Sequence, residues 1–425
     1  MEMASDYRNE TASSKERWLP WCICFAASLF FFYEFIQGNM FASIADDIMQ
    51  DFHIEADSLT YLSSVYYVSN VLFLFVAGII LDRFSAKKTI LIAMLFCVVS
   101  TFVLSYVHSF YLALICRFIT GIGSAFCFLG PIRIASNWFP PRRMAMVTGL
   151  IVTIAMTGGM LAQYPLTKLV LYIGWRSAMV WLGWLGLCIL GLMMVFIQDK
   201  HNLNKNTPKI GILDSAKIAY LNLQTLRAAA YASLMNMAVA VFGAVMGSLY
   251  LMQRLDIVKE KASLINSMLF LGAIIGGPLM GWISDKWGLR IPPMRFGAIS
   301  SLLIVLIILY LPVSYGMMVI LFFLLGLFTA SQVISYALVA ESNSSAITAT
   351  AVSIVSILTQ SGYVLYQNIF SALMLRHGEM QMINGVPVYS LNDYNYAAII
   401  LPLGLLAALI ILWGLRETHC RRSQG

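Results

Sequence analysis

The stretch Gly78-Ile-Ile-Leu-Asp82-Arg83-Phe-Ser-Ala-Lys87-Lys88 decides how the chain reads. It lies between two long apolar runs and gathers one acid and three bases in a sequence that is only 11% charged. The pattern returns 203 positions later, counted from Asp82 to Asp285, as Gly281-Trp-Ile-Ser-Asp285-Lys286-Trp-Gly288-Leu-Arg290. Each copy ends an apolar run with Gly-x-x-x-Asp-basic, and Ser58-Leu59 and Ser263-Leu264 open those runs. A repeat at about half the length of a 425-residue chain implies two related halves.

Composition sets the medium. Hydrophobic residues make up 60% of the chain and its mean hydropathy is +0.80. A soluble domain needs a polar surface and cannot sustain that average. A membrane crossing takes roughly 20 apolar residues. The chain supplies runs at 18–45, 58–81, 88–106, 110–138, 143–171, 175–197, 227–251, 262–283, 293–311, 315–339, 347–374 and 394–415. Backbone polar groups in hydrocarbon must be satisfied within the segment, and the runs do not alternate as barrel strands do, so helices are expected. The division is a tail at 1–17, a six-helix bundle at 18–197, a linker at 198–226, a second bundle at 227–415 and a tail at 416–425. The first run is too long for a cleaved signal peptide and reads as a retained helix.

Charge placement orients the chain. Both repeat loops, Pro140-Pro141-Arg142-Arg143, the linker lysines Lys200, Lys205, Lys209 and Lys217, and Arg421-Arg422 fall on one side. The first loop on the other side holds Asp46, Asp47, Asp51, Glu55 and Asp57 with no base. Basic loops mark the cytoplasmic side, so both termini are expected there. The net charge of +7 is scattered over loops with no basic face, which excludes nucleic acid as a partner. The seven cysteines lack ligand spacing with histidines and read as packing residues. No phosphate-binding loop, catalytic triad or metal cluster is found, so neither an enzyme nor an ATP-driven pump is expected, and no cofactor.

The repeated stretch resembles the loop signature of the major facilitator superfamily of secondary transporters. Gly78, Asp82, Arg83, Lys87 and Lys88 match the loop between its second and third helices. Gly281, Asp285, Lys286, Gly288 and Arg290 match the second-half copy, while Ser85 stands where the family usually has another glycine. Arg117-Phe-Ile-Thr-Gly121-Ile-Gly123 resembles the family's fourth-helix motif, and Gly174-Trp175-Arg176 fits the start of its sixth span. The resemblance covers essentially the whole chain. It implies an all-α integral membrane protein, with twelve transmembrane helices in two pseudo-symmetric six-helix bundles that work by alternating access. It also implies a cytoplasmic gate made by Gly78, Asp82, Arg83, Lys87, Gly281, Asp285, Lys286, Arg290 and Glu341. In that gate the acids pair with bases at neighbouring helix ends and release them when the inner side opens. Gly158-Gly159 with Pro165 matches the family's exporter motif poorly, which favours uptake.

Glu34, Arg117, Arg133 and Glu341 fall within predicted spans. A charge at the bilayer centre costs roughly 2.5–3.5 kcal/mol on insertion scales, so such residues face a cavity and have partners. Helical spacing puts Phe30, Glu34, Gln37 and Phe41 on one face, read as facing the central cavity. Glu34 either exchanges a proton or meets the solute, or it merely ties two helices together. Arg117 cannot deprotonate and can set the state of a nearby carboxylate; Glu34 is its expected partner by depth. Arg133 either snorkels to the headgroups or lines the inner cavity. Glu341, at the end of span ten, is expected to cap its helix or brace the gate rather than bind solute.

Polar residues recur on helix faces: Tyr33 beside Glu34, Tyr66 and Asn70 in span two, Asn236 in span seven, Gln332 in span ten, Gln360 and Tyr363 in span eleven. Helix-to-helix hydrogen bonds are the plain alternative for each. Together with Glu34 and Arg117 they describe a cavity suited to a small polar, even zwitterionic, solute. The expectation is proton-coupled symport of an amino acid or similar nutrient across a bacterial inner membrane, by a monomer with the lipid bilayer, protons and the solute as its partners. The Tyr33-Glu34-Phe35-Ile36-Gln37 stretch resembles nutrient transporters of intracellular bacteria in the same superfamily, which points to amino acids. The alternatives are a proton-driven exporter of a drug or siderophore, and a sensor or scaffold that binds solute without moving it.

Overall fold

The computed structural model describes residues 14–139, 144–198, 221–343, 348–377, 381–383 and 386–421. The first tail as far as residue 13, the Pro140–Arg143 loop, most of the linker and the last four residues lie outside them, as do the side chains of Asp82 and Arg83.

Among the described residues the helices form twelve rods, nine of them long and apolar enough to cross a membrane. A tenth is span seven, where Leu223–Met235 and Val239–Leu255 meet at 40°. The other two are span two, Ala56–Arg83, and span eleven, Thr348–His377, of 28 and 30 residues. At about 1.5 Å per residue each is longer than the hydrocarbon core is thick. Both are rich in hydroxyl and amide side chains, because they pack on each other where the halves meet.

The same packing recurs in the two halves. Span one lies on five, two on four, three on four and on six. Seven likewise lies on eleven, eight on ten, nine on ten and on twelve. Between the halves, two packs on eleven and five on eight, which are equivalent pairings under an exchange of halves. A two-stranded antiparallel hairpin, Gln381–Ile383 with Val386–Val388, joins spans eleven and twelve.

Several rods break where a run was expected to continue. The apolar run at 18–45 does not form one helix: Ser14–Asn39 stops, and a separate amphipathic helix, Phe41–Phe52, follows. The cause is local. The Asn39 amide bonds back to the Phe35 carbonyl at 2.8 Å, and the Tyr67 hydroxyl takes the Gly38 carbonyl at 2.8 Å. Span four divides into Phe110–Ser124 and Leu129–Trp138, ahead of Pro131. Span five divides into Met144–Leu161 and Tyr164–Ile173, ahead of Pro165. Proline suits a first helical turn, which is where Pro131 and Pro165 stand, whereas Pro278 lies inside the continuous helix of span eight.

The two copies of the repeat turn differently. Ser85 N-caps Ala86–Tyr106, accepting from the Lys88 amide at 3.1 Å with an ordinary φ of −59°, so no glycine is required there. Gly288 ends span eight, Lys259–Trp287, with φ +65°, a backbone state that favours glycine.

Links between the halves gather at the end opposite the repeat loops. Lys259, 8% exposed, reaches Asp46 at 2.5 Å and also Asp47. Lys168 meets Glu260 at 2.8 Å. Thr167 bonds Ser263 at 2.7 Å, and the Ala56 amide bonds the Tyr389 hydroxyl at 3.2 Å. This end is closed. Replacing Lys259 by Met should weaken the closure by about 1–2 kcal/mol, since the two aspartates are partly solvated. The check is labelling of a Ser263→Cys thiol by a membrane-impermeant maleimide: its rate should rise several-fold, and an unchanged rate would show that the ion pairs do not hold this end shut.

Candidate functional site

Between the halves lies a cavity of about 30 Å³. Span one contributes Phe31, Glu34, Phe35, Gly38 and Asn39 to its wall; span two adds Tyr66 and Tyr67, span four Cys127, and span eleven Gln360 and Tyr363. Glu34, Tyr66, Gln360 and Tyr363 therefore converge there from four predicted positions. The Tyr67 and Tyr363 rings meet across the seam at 4.6 Å.

Glu34 is 1% exposed. Its Oε2 accepts from the Tyr66 hydroxyl at 3.1 Å, and the Cys97 thiol of span three lies against the same carboxylate. Arg117 is wholly buried. It makes no ion pair with Glu34 among the described residues; instead its guanidinium lies 4.6 Å from the Tyr66 ring centre and 4.9 Å from that of Phe41. All three of its side-chain nitrogens lack an acceptor there. The expected pair is thus a three-part stack, in which one tyrosine offers its hydroxyl to the anion and its face to the cation. A buried ion without hydrogen bonds is penalised by several kcal/mol, and a desolvated cation–π contact offsets about 2 kcal/mol.

Other predicted residues stand elsewhere. Tyr33 and Gln37 turn away from the cavity and both bond Thr101 of span three, at 3.1 and 2.9 Å. Asn70 donates to Ser124 at 2.7 Å within the first half. Asn236 bonds Gln332 within the second. Each is a helix-to-helix link. Gly38, Asn39 and Cys127 are also wall residues; nothing in an apolar run marks a glycine or a thiol as wall, and the Asn39 amide is taken up by the Phe35 carbonyl of its own helix.

At the end bearing the repeat loops, Arg290 gathers the second-half cluster. It bonds Asp285 at 2.7 Å, Glu341 at 2.6 Å and Ser284 at 2.9 Å. Burial lowers its proton affinity, but the two carboxylates outweigh this and raise it above the ordinary arginine value. Lys286 lies over the Trp282 ring at 4.8 Å. In the first half Lys87 bonds the Met194 carbonyl at 2.9 Å. Among the described residues nothing stands within 4 Å of where a side chain would begin on Gly78 or Gly281. Glu417, past span twelve, accepts from the Arg290 and Ile291 amides at 2.8 Å each. Burial pushes its carboxyl up, and these amides, with those of His419 and Thr418, bring it below the ordinary carboxylate range.

Residues 23–240 and 228–424 match the sequence profile of the Major Facilitator Superfamily. The chain is 24% identical over 262 residues to a hexuronate transporter of Bacillus subtilis (strain 168), covering 59% of this chain and 61% of that protein. It is 23% identical over 287 residues to the lysosomal dipeptide transporter of Danio rerio, covering 62% of this chain and 61% of that one. The chain thus spans about three-fifths of the length of these curated relatives. The crystal structure of a bacterial homolog to the human lysosomal transporter Spinster, inward-facing and occupied, superposes with a TM-score of 0.73. It covers 97% of this chain and 100% of that chain at 16% identity, a likeness of fold.

Two measurements test the stack and the tail. Tyr66→Phe keeps the ring over Arg117 and should cost about 1 kcal/mol in thermal stability, whereas Tyr66→Ala should cost about 3–5 kcal/mol. Equal losses would mean that the ring does nothing for Arg117. Because the folded Glu417 binds its proton less tightly than an unfolded glutamate, its contribution is present above pH of about 4.3 and fades as pH falls further. Glu417→Gln should therefore melt below the parent at pH 7, with the gap narrowing in acid.

Proposed function

The chain belongs to the Major Facilitator Superfamily, and on that premise we propose that it is a secondary active transporter of a small polar solute, of the amino-acid kind, in symport with protons. Its place is a bacterial inner membrane, with the repeat-loop end in the cytoplasm as the lysine and arginine bias implies. The two halves rock about the cavity so that it meets one side and then the other.

One observation carries the reading. Glu34 is a buried carboxylate on the wall between the halves, held by the Tyr66 hydroxyl with the Cys97 thiol beside it and no ion pair among the described residues. Such a group can take up a proton or a polar solute when its side opens. Arg117 stands behind Tyr66 with a charge that cannot be relieved by losing a proton. Deprotonated Glu34 faces that cation across a phenol; protonated Glu34 leaves it with aromatic faces alone. The energy of the site therefore depends on whether a proton is aboard, which is what coupling requires. The relatives named for a hexuronate and for dipeptides support a small solute with polar groups. The Arg290 cluster, with Asp285 and Glu341, serves as the second-half part of the inner gate. Asp82, Arg83, Lys87 and Gly78 form the first-half part in this reading, and Lys286 and Gly281 flank the second.

The test is uptake into proteoliposomes with an imposed pH gradient, after a thermal-shift screen of nutrients has identified the solute. Glu34→Gln should abolish accumulation driven by the gradient. Undiminished accumulation would remove Glu34 as the coupling group, and solute leaving against its gradient would indicate an exporter.

A further inference from the structure

Span seven is not a plain helix. Val239–Met246 winds as a π-helix, eight residues long and wholly buried. A π-helix pairs each carbonyl with the amide five residues on, as Phe242 does with Gly247, and such segments concentrate at functional positions. Three side-chain amides add further bonds to its carbonyls. Gln367 donates to Ala240 at 3.0 Å, Asn266 to Phe242 at 3.0 Å, and Gln163 to Gly243 at 2.8 Å. Gln367 and Asn266 belong to the same half as span seven; Gln163 belongs to the other.

Gln163 sits at the break in span five and is wholly buried. Its amide nitrogen also donates to the Asn39 carbonyl at 3.3 Å, at the break in span one. Its amide oxygen accepts from Asn266 at 2.7 Å. One side chain thus holds the backbone of a cavity-wall residue, Asn39, and the backbone of the π-helix across the seam. No charge takes part, so neither pH nor salt governs this link.

We propose that Gln163 is the positioning residue that couples the cavity to the closed end. Its two donated bonds make the π-helix of span seven and the break of span one move as one body while that end is shut. When the halves part there, Gly243 loses its cross-seam partner, and the π-helix keeps only the two amides of its own half. The inference rests on the alternating-access reading given above. It predicts that Gln163 controls the open-to-closed ratio without touching the solute.

The experiment uses the full chain in lipid nanodiscs, with Cys22, Cys188 and Cys420 replaced by Ser. Spin labels at Tyr172→Cys and Val258→Cys, both exposed and on opposite halves at the closed end, report its width by double electron–electron resonance. Gln163→Met keeps the length of the side chain and removes its hydrogen bonds. It should move the ratio toward longer distances by about tenfold, as the loss of buried bonds implies. A role in packing alone predicts no movement, and an unchanged distance distribution in folded Gln163→Met protein overturns the proposal. Asn266→Leu, which strips the partner of Gln163, should move the ratio the same way, and serves if Gln163→Met does not fold; no movement there counts equally against it. No solute is needed for these distances, so a chain that shifts as described but carries nothing would count against the transport reading alone.

Discussion

Tyr66 stands between a buried anion and a buried cation, and much of the first half is arranged to keep it there. Its hydroxyl is committed to Glu34 and its ring to Arg117. The position of the ring depends on how closely spans two and four approach. Gly121 makes this possible, since a side chain there would collide with the Tyr66 carbonyl and the Ser69 hydroxyl. Phe41, the first residue of the helix that starts after the break at Met40, brings a second ring to within 4.9 Å of the guanidinium. A glycine contact, a helix break and two aromatic faces thus maintain a charge that hydrocarbon alone would not tolerate.

The seam between the halves is built on a different rule from the rods. Rods are held by apolar packing and small residues, and the lipid-facing surface shows residues such as Trp181, Leu185 and Val195. Across the closed end the contacts are hydrogen bonds and ion pairs: Thr167 with Ser263, Gln163 with Asn266, Lys259 with its two aspartates. Polar contacts of this kind can be exchanged for water when a face opens, whereas an apolar seam of equal area would strongly resist wetting. The chemistry of the seam therefore fits an interface that separates and re-forms.

What could be read from the chain alone follows from what periodicity encodes. The repeat at Asp82 and Asp285 identified two halves, and hydropathy located the rods, because both are properties of linear order. The contact of Arg290 with Asp285 and Glu341 was also within reach, since charges at helix ends have few other partners. The internal geometry was less accessible. Depth along a helix is legible, but the neighbour facing each side chain is not. Glu34 and Arg117 were matched by depth, and the ring of Tyr66 lies between them. Gln37 shares a helical face with Glu34, yet Thr101 of span three meets it before the cavity does. Gln163 carried no signal at all, because a lone amide in an apolar run looks the same whether it bridges halves or fills a gap.

The breaks in the helices bring these threads together. A broken helix in hydrocarbon exposes carbonyls that nothing nearby can satisfy, so breaks are tolerated only where other side chains supply donors. Three of them occur here at one level of the seam: Asn39 in span one, Gln163 in span five and the π-turn of span seven. They satisfy one another, with Gln163 donating to the other two. Each break is unstable in isolation and stable in company, so the three are expected to persist or rearrange together. A membrane protein that must change shape needs backbone that can yield without being left dry. Setting the weak points of separate helices against one another, next to the cavity, meets both needs with a few uncharged amides.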